Sequence, residues 1–162
     1  MAQLNVIPIS RELPEVLFID ADPVARDSFE QVFGAHMNVH AVADADAMWS
    51  LLAARPVHVV IADQRLPGDG AAMLFNQLRE RHPRIRRVLV SAHVDLDAVM
   101  SAVNQGGVFR YFSKPWVNEQ LVAAVREAHE AHRCEQEQDA YLQTLELANQ
   151  QLEFALRQRL LS

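Results

Sequence analysis

The alternation of short apolar runs with helix-like segments most constrains the fold of this chain. The run Val57–Ala62 is too short for a helix, is rich in β-branched residues and is apolar on both faces. These properties are typical of a buried strand in a parallel sheet. Five strand–helix alternations predict an α/β fold with a doubly wound parallel sheet and right-handed crossovers. The predicted strands are Val16–Ile19, Asn38–Ala43, Val57–Ala62, Arg87–Val90 and Val108–Phe112.

Capping and helix-breaking residues define the predicted helices between these strands. Asp22 and Asp44 are expected N-caps, and Pro23 suits the first turn of a helix. The first four helices are predicted from Pro23 to Gly34, from Asp44 to Ala54, from Gly70 to near Pro83, and from Asp95 or Asp97 to Gly106. Their predicted apolar faces contain Val24, Phe29, Val32 and Phe33; Ala47, Met48, Leu51 and Leu52; Met73, Leu74 and Leu78; and Val99, Met100 and Val103.

Composition limits the class of protein. The 162 residues are 50% hydrophobic, which suits one domain-sized core. The net charge is −6 and there is no basic block, so we expect no nucleic-acid partner. No apolar run reaches the roughly 18 residues of a membrane span, and a single cysteine, Cys134, fits a reducing cytoplasm. Residues 1–14 lack the pattern of a signal peptide and are expected to form a flexible leader.

Four of the five predicted strands end in polar side chains at the same edge of the sheet. Asp20 and Asp22 follow the first strand, Asp63 the third, Ser91 the fourth and Lys114 the fifth. Each residue alone has a structural alternative, such as a helix cap, a turn residue or a surface lysine. Together they lie where open parallel sheets bind ligands. Clustered carboxylates favour Mg²⁺ over Zn²⁺, and a carboxylate, a cation, a lysine and a hydroxyl meet the needs of phosphoryl transfer.

The ordered motifs VLFIDADP, VVIADQRLPGDG, VLVSAH and FRYFSKPW resemble those of a two-component response-regulator receiver domain of the CheY-like superfamily. The resemblance covers residues 15–131 and implies a (βα)5 flavodoxin-like fold with strand order 2-1-3-4-5. It implies that Asp63 accepts a phosphoryl group from a histidine kinase. It also implies that Asp20, Asp63 and the Arg65 carbonyl hold the metal ion. Ser91 and Tyr111 would be the switch residues, and Lys114 would contact the phosphoryl group. The peptide bond before Pro115 would be cis.

One position departs from the family's pattern. Receivers usually carry two adjacent acids after the first strand, and the second is a direct Mg²⁺ ligand. That second position is Ala21 here, and Asp22 lies one residue further on. Asp22 either supplies the missing metal ligand or only caps its helix. We therefore expect weakened Mg²⁺ binding, whereas Asp63, Ser91 and Lys114 argue against an inactive site.

The last predicted helix starts at Val117 or Asn118, reaches about Leu161 and is longer than a receiver needs. Some 45 helical residues would span roughly 65–70 Å. We assign residues 132–162 to a helical extension that forms a parallel coiled-coil homodimer. Its seam has a 3-4-3-4 spacing at Leu142, Leu145, Asn149, Leu152 and Leu156, and the Asn favours two strands. A zinc site at His129, His132 and Cys134 is a weaker interpretation than a solvated helix face.

Three functions follow from these observations. The favoured one is a cytoplasmic, non-enzymatic receiver that relays phosphorylation to its C-terminal helix or to a partner. The second is a phosphorylation-independent pseudo-receiver that serves as a dimerisation or docking module, as Ala21 suggests. The third is a haloacid-dehalogenase-like phosphatase with Asp20 and Asp22 in its nucleophile motif. The third interpretation lacks a downstream acidic pair and a cap domain, and it leaves Asp63 without a role.

Overall fold

The computed structural model of the protein describes residues 12–68, 70–92, 97, 100–101, 103–104 and 107–161. Their strands form one five-stranded sheet in the order β2-β1-β3-β4-β5, and all four neighbouring pairs are parallel. This topology confirms the predicted flavodoxin-like α/β fold. The strands are β1 (Glu15–Ile19), β2 (Asn38–Val42), β3 (Val59–Asp63), β4 (Arg86–Ser91) and β5 (Arg110–Ser113).

The strands β3 and β5 begin later in the sequence than their apolar runs suggest. β3 starts at Val59 instead of Val57, although the N–H of His58 already donates to the carbonyl of Glu15. β5 starts at Arg110 instead of Val108 and ends at Ser113. β5 is an edge strand, so its extent is set by β4 alone, and their paired register begins at Val88 and Arg110.

The helices are α1 (Pro23–Phe33), α2 (Ala45–Ala54), α3 (Gly70–Arg81) and a C-terminal helix (Asn118–Leu161). Both predicted N-caps are confirmed. An Asp22 carboxylate oxygen accepts a hydrogen bond from the N–H of Val24 at 3.0 Å, and Asp44 accepts one from the N–H of Ala47 at 2.8 Å. These contacts satisfy N–H groups that have no partner inside the helix. Most of the predicted helix after Asp95 lies outside the described residues.

Each face of the sheet is covered by helices and buries its own apolar cluster. Val16 and Phe18 point to one face, where Phe29 and Phe33 of α1 and Leu121 of the C-terminal helix pack against them. The intervening residues of β1 point to the opposite face, because side chains alternate along a strand. That second face contains Leu17, Ile19, Met48, Leu74, Phe75 and Leu78. The sheet is therefore the middle of three layers, and only its edges are open for a site.

Several residues predicted to face the core are exposed. In α1 only Phe29 and Phe33 are buried, whereas Val24 is 72% exposed. At about 100° per residue, Val24 lies about 140° around the helix from Phe29, which places it away from the sheet. The other predicted core residues that are exposed are Val32, Met73, Met100 and Val103.

The C-terminal helix has 44 residues, which corresponds to about 66 Å. Its buried residues all lie in its first three turns and are Leu121, Val122, Ala124, Val125 and Ala128. From Ala140 to Leu161 every residue is exposed. Within the described residues, no helix combines the length and the apolarity needed to cross a membrane.

Between its buried and exposed parts, the C-terminal helix contacts the base of the sheet, defined here as the end where the strands begin. The ring of His58 lies 4.5 Å from that of His129 and 5.0 Å from that of His132, measured between centroids. Two ion pairs follow along the helix, Arg86 with Glu135 and Arg84 with Asp139. These contacts extend beyond residue 131, the predicted end of the receiver domain.

Candidate functional site

Four of the predicted site residues lie at the carboxyl edge of the sheet. Asp20 directly follows β1, Asp63 and Ser91 are the last residues of β3 and β4, and Lys114 directly follows β5. Asp20, Asp63 and Ser91 are buried, with exposed fractions of 7%, 9% and 1%. They meet because parallel strands deliver their carboxyl ends to one edge. We call the group of Asp20, Asp63, Ser91 and Lys114 the acidic pocket, and Lys114 is its cation.

Lys114 lies between the two buried carboxylates. Its Nζ is 2.5 Å from Oδ2 of Asp63 and 3.5 Å from Oδ2 of Asp20. Burial lowers the pKa of Lys114, but the hydrogen bond and the charge of Asp63, together with the charge of Asp20, outweigh burial and raise that pKa above its usual value. Lys114 is therefore a fixed positive charge at neutral pH. It is also the only lysine in the sequence.

The two oxygens of the Asp63 carboxylate have different partners. Oδ1 accepts a hydrogen bond from the N–H of Arg65 at 2.8 Å, whereas Oδ2 accepts one from Lys114. The loop after Asp63 turns back at Gly68, whose φ of 83° is a left-handed conformation that favours glycine. The backbone thus fixes one oxygen, and the other faces the cation.

Asp22 is placed as a helix cap at the rim of the acidic pocket. Its N–H donates to Oδ1 of Asp20 at 2.9 Å, while its exposed carboxylate accepts from Val24. Arg26, a residue that the sequence analysis did not single out, donates to the backbone carbonyl of Asp20 at 2.7 Å. The sequence gives little reason to assign a site role to Arg26, because the positive end of the helix dipole favours acidic residues near the start of a helix.

The predicted switch residues Ser91 and Tyr111 lie on neighbouring strands. The carbonyl of Ser91 accepts a hydrogen bond from the N–H of Lys114 at 2.8 Å, which ties the end of β5 to β4. Tyr111 packs against the cluster of Leu17 and Leu89, and its hydroxyl is buried without a hydrogen-bond partner among the described residues. The peptide bond between Lys114 and Pro115 is cis.

The pocket supplies oxygen donors for a metal ion. Across the described residues, no group of three or more His, Cys, Asp or Glu side chains is arranged to hold a metal. Mg²⁺ needs only one or two carboxylates because water completes its octahedral shell. Asp20 and Asp63 place two carboxylates at this edge of the sheet, and position 21 adds none because it is alanine. Cys134 is exposed on the C-terminal helix.

A doubly wound five-stranded sheet with paired acids and a lysine at its carboxyl edge defines a class of signalling domains. The family model described as the response regulator receiver domain matches residues 16–126, and the chain belongs to this family. Members of this family are signalling proteins and not typical enzymes. The predicted resemblance is thereby confirmed, and the chain is a response-regulator receiver.

The known relatives match this chain over only part of their own length. The hydrogenase transcriptional regulatory protein HoxA of Cupriavidus necator is 34% identical over 116 residues, which are 72% of this chain and 24% of HoxA. The DNA-binding transcriptional regulator NtrC of Escherichia coli K12 is 33% identical over 129 residues, 79% of this chain and 27% of NtrC. The chain thus spans about a quarter of the length of these relatives.

Solved structures also match the fold. The signal receiver domain of an HD domain-containing protein from Pseudomonas fluorescens Pf-5 has a TM-score of 0.75 and 32% sequence identity. The match covers 83% of this chain and 98% of that domain. NtrX from Brucella abortus, solved in complex with ADP, has a TM-score of 0.70 and 21% identity, and at this identity the match concerns the fold alone.

Proposed function

We propose that this chain is the receiver of a two-component phosphorelay, in which a histidine kinase transfers a phosphoryl group to Asp63. The observation that supports this proposal is the convergence of Asp63, Asp20 and Lys114, with Lys114 Nζ 2.5 Å and 3.5 Å from the two carboxylates. A buried carboxylate next to a preorganised cation is what an acyl-phosphate-forming site requires. The phosphorylated state is relayed to the C-terminal helix or to a partner.

In the proposed reaction an oxygen of Asp63 forms a bond to phosphorus while the bond from phosphorus to the kinase histidine nitrogen breaks. The kinase imidazole takes up a proton and leaves as a neutral ring. Because Oδ1 of Asp63 is held by the N–H of Arg65, Oδ2 is the attacking oxygen. Lys114 then moves from the carboxylate to the phosphoryl oxygens, and the hydroxyl of Ser91 donates to them. Asp20, Asp63 and the Arg65 carbonyl would hold Mg²⁺, which would supply further positive charge to the phosphoryl group.

Incubation with acetyl phosphate and Mg²⁺ is expected to add one phosphoryl group, located on Asp63 by peptide mass spectrometry. Asp63→Asn should abolish the label because an amide oxygen is a poor nucleophile. Asp22→Asn is the matched control, and it should retain the label because Asp22 caps α1. Label on Asp20 or Asp22 would contradict the proposal and favour the phosphatase alternative.

Ala21→Asp is expected to tighten Mg²⁺ binding. The substitution restores a charged oxygen donor that water replaces poorly, and position 21 is exposed, so the new side chain has room. We expect an increase in affinity of about tenfold, the equivalent of about 1.4 kcal/mol, in an Mg²⁺ titration followed by calorimetry. Unchanged affinity would mean that Asp22 already acts as a ligand, against the capping role assigned to it.

Tyr111→Ala is expected to uncouple phosphorylation from its structural response. In the proposed switch, the Ser91 hydroxyl turns toward the phosphoryl oxygens and the tyrosine ring fills the vacated space, which shifts a two-state equilibrium. The response to follow is the change in amide NMR shifts of β5 and the C-terminal helix when beryllofluoride is added. Tyr111→Phe is the control, since it keeps the ring and removes only the buried hydroxyl. Identical responses in the alanine variant and the wild type would exclude the ring as the switch.

The pseudo-receiver alternative is favoured by one specific observation, the engagement of Asp22 as a helix cap beside Ala21. If neither position 21 nor Asp22 supplies a carboxylate beside Asp20, the metal ion is held weakly and Asp63 accepts a phosphoryl group poorly. A beryllofluoride titration in the presence of Mg²⁺ separates the alternatives, because saturable binding requires an intact acceptor pocket. Absence of binding up to millimolar concentrations would favour phosphorylation-independent docking.

The proposal includes homodimerisation through the C-terminal helix. The seam leucines Leu142, Leu145, Leu152 and Leu156 are 60%, 43%, 60% and 55% exposed, and Asn149 lies among them. Each such leucine gains about 1.5–3 kcal/mol on burial, so a second copy of the helix is the expected cover. A parallel pair would place both receivers at one end of the coil.

The proposed setting is the cytoplasm, where a histidine kinase would meet this receiver. The single exposed cysteine, Cys134, suits a reducing compartment. We propose no nucleic-acid contact for this chain, since its net charge is −6.

A further inference from the structure

A cationic groove lies at the base of the sheet, at the opposite end of β3 from Asp63. Its volume is about 420 Å³, and it runs between the start of β3, the loop before β4 and the C-terminal helix. Six lining side chains are cationic or can become so: Arg55, His58, Arg81, His82, Arg84 and His132. No carboxylate is among the described lining residues, although the whole protein has a net charge of −6.

Most of this positive charge lacks an anionic partner. Arg84 is paired with Asp139 of the C-terminal helix. Arg55 and Arg81 are exposed, and within the described ranges neither is in an ion pair. The guanidinium of Arg81 lies over the ring of Trp49, 4.7 Å from its centroid, a contact that leaves the edge of the guanidinium available for hydrogen bonds.

One histidine of the groove, His58, has a defined tautomer. Nδ1 of His58 accepts a hydrogen bond from the N–H of Glu15 at 3.0 Å, so the neutral ring carries its proton on Nε2. This tautomer has no free lone pair for a metal ion. Burial and the charges of His129 and His132 lower the pKa of His58 to about 4. The pKa of His132 is also lowered, by burial first and then by His129 and the nearby arginines.

We propose that this groove binds the phosphate group of a small phosphorylated molecule, held between Arg55, Arg81 and His132. Guanidinium groups pair with phosphate through two parallel hydrogen bonds, and several converging cations favour a dianion over a single carboxylate. The groove is larger than a phosphate ion and falls within the range of small-molecule pockets, about 300–1,000 Å³. The apolar lining residues Leu52, Pro83 and Ile85 would contact the remainder of the ligand, such as a nucleoside.

This ligand would join the receiver body to the C-terminal helix. Arg55 follows α2 and Arg81 ends α3, whereas His132 belongs to the helix at the point where it leaves the body. A phosphate between them would add to the ion pairs of Arg84 and Arg86 with the helix. The site is therefore distinct from Asp63, and its occupancy would stiffen the base of the helical extension.

Binding should take up protons, because a bound dianion stabilises the protonated form of His132, whose ring lies 5.0 Å from that of His58. The other charged or titratable groups packed around these two rings are Glu15, His129, Arg84, Arg86, Glu135 and Asp139. Sulfate keeps its charge at mildly acidic pH, so its affinity should rise as the pH falls below the ordinary histidine pKa of about 6.5, because burial and nearby positive charges lower the pKa of His132.

The test is an amide NMR titration of the full chain with adenosine monophosphate, without Mg²⁺. We expect saturable shifts around Arg81 and His132, and the same shifts in Asp63→Asn, which makes this result independent of phosphorylation. The double variant Arg55→Gln, Arg81→Gln alters two exposed side chains and should weaken binding at least about tenfold. Arg157→Gln, on the exposed part of the helix, is the control and should bind like the wild type.

Inorganic phosphate is the second probe, and saturable binding of it in the groove would also support the proposal and restrict recognition to the phosphate group. The proposal is overturned if neither probe gives saturable shifts at millimolar concentration. It is equally overturned if the shifts are confined to Asp63 and Lys114, or if the double variant binds as tightly as the wild type.

Discussion

Truncation of the chain after Asp139 is expected to convert the protein from a homodimer into a monomer. The truncated chain keeps the histidine contacts and the ion pairs at the base of the sheet, and it loses only the part of the helix in which every residue is exposed. Four seam leucines on each helix, at about 1.5–3 kcal/mol each, supply enough burial energy for a stable pair. Sedimentation velocity of both chains at tens of micromolar measures the change.

Point variants distinguish the seam from the rest of the helix surface. Leu145→Asp combined with Leu152→Asp should give a monomer, because the two charges would be buried against the partner helix. Leu147→Asp combined with Phe154→Asp is the matched control, since these residues are exposed but lie outside the seam. The seam assignment fails if the control pair abolishes dimerisation and the seam pair does not. A truncated chain that still dimerises would move the interface to the receiver.

Lys114→Ala is expected to slow phosphorylation of Asp63 by about a hundredfold, the usual effect of losing one preorganised donor at a reacting oxyanion. The wild-type side chain is the cation that lies between Asp63 and Asp20. Its removal also leaves two neighbouring buried carboxylates without a counter-charge. We expect a loss of about 1–2 kcal/mol in the free energy of unfolding, a discounted value because Lys114 is partly exposed to solvent.

Acetyl phosphate labelling rates and urea unfolding measure these two effects separately. Lys114→Arg retains the positive charge, so its free energy of unfolding should lie close to that of the wild type. Its labelling rate should stay lower than that of the wild type, because the guanidinium group has a different geometry from the ammonium group. The double variant Asp63→Asn, Lys114→Ala should be less destabilised than the sum of the single changes, because it contains only one unpaired carboxylate. Wild-type labelling by Lys114→Ala would remove the lysine from the proposed mechanism.

The fold was predictable because local signals agreed with the tertiary structure. The apolar run ending at Asp63 became a central strand, and Asp22 and Asp44 became the N-caps that the sequence indicated. The meeting of Asp20, Asp63 and Lys114 follows from strand polarity alone, because parallel strands end at one edge. Strand ends were less predictable, since the limits of β3 and β5 depend on their neighbours and not on their own residues.

Contacts between distant parts of the chain were outside the reach of sequence patterns. His58 meets His129 and His132 only because the C-terminal helix crosses the base of the sheet. Arg26 donates to the backbone of Asp20, a contact that no side-chain motif encodes. Likewise, hydrophobicity alone placed Val24 and Met73 in the core, whereas the width of the helix–sheet contact leaves them exposed.

Because Lys114 is the only lysine, the ε-amine chemistry of the whole chain is concentrated in the acidic pocket. An acyl donor that modifies a lysine within these 162 residues must act there, on a side chain that is 26% exposed. Acetylation would cancel the positive charge that lies between Asp20 and Asp63. The same uniqueness gives a single ¹⁵Nζ resonance in lysine-labelled protein, a spectroscopic reporter of charge in the pocket that needs no assignment.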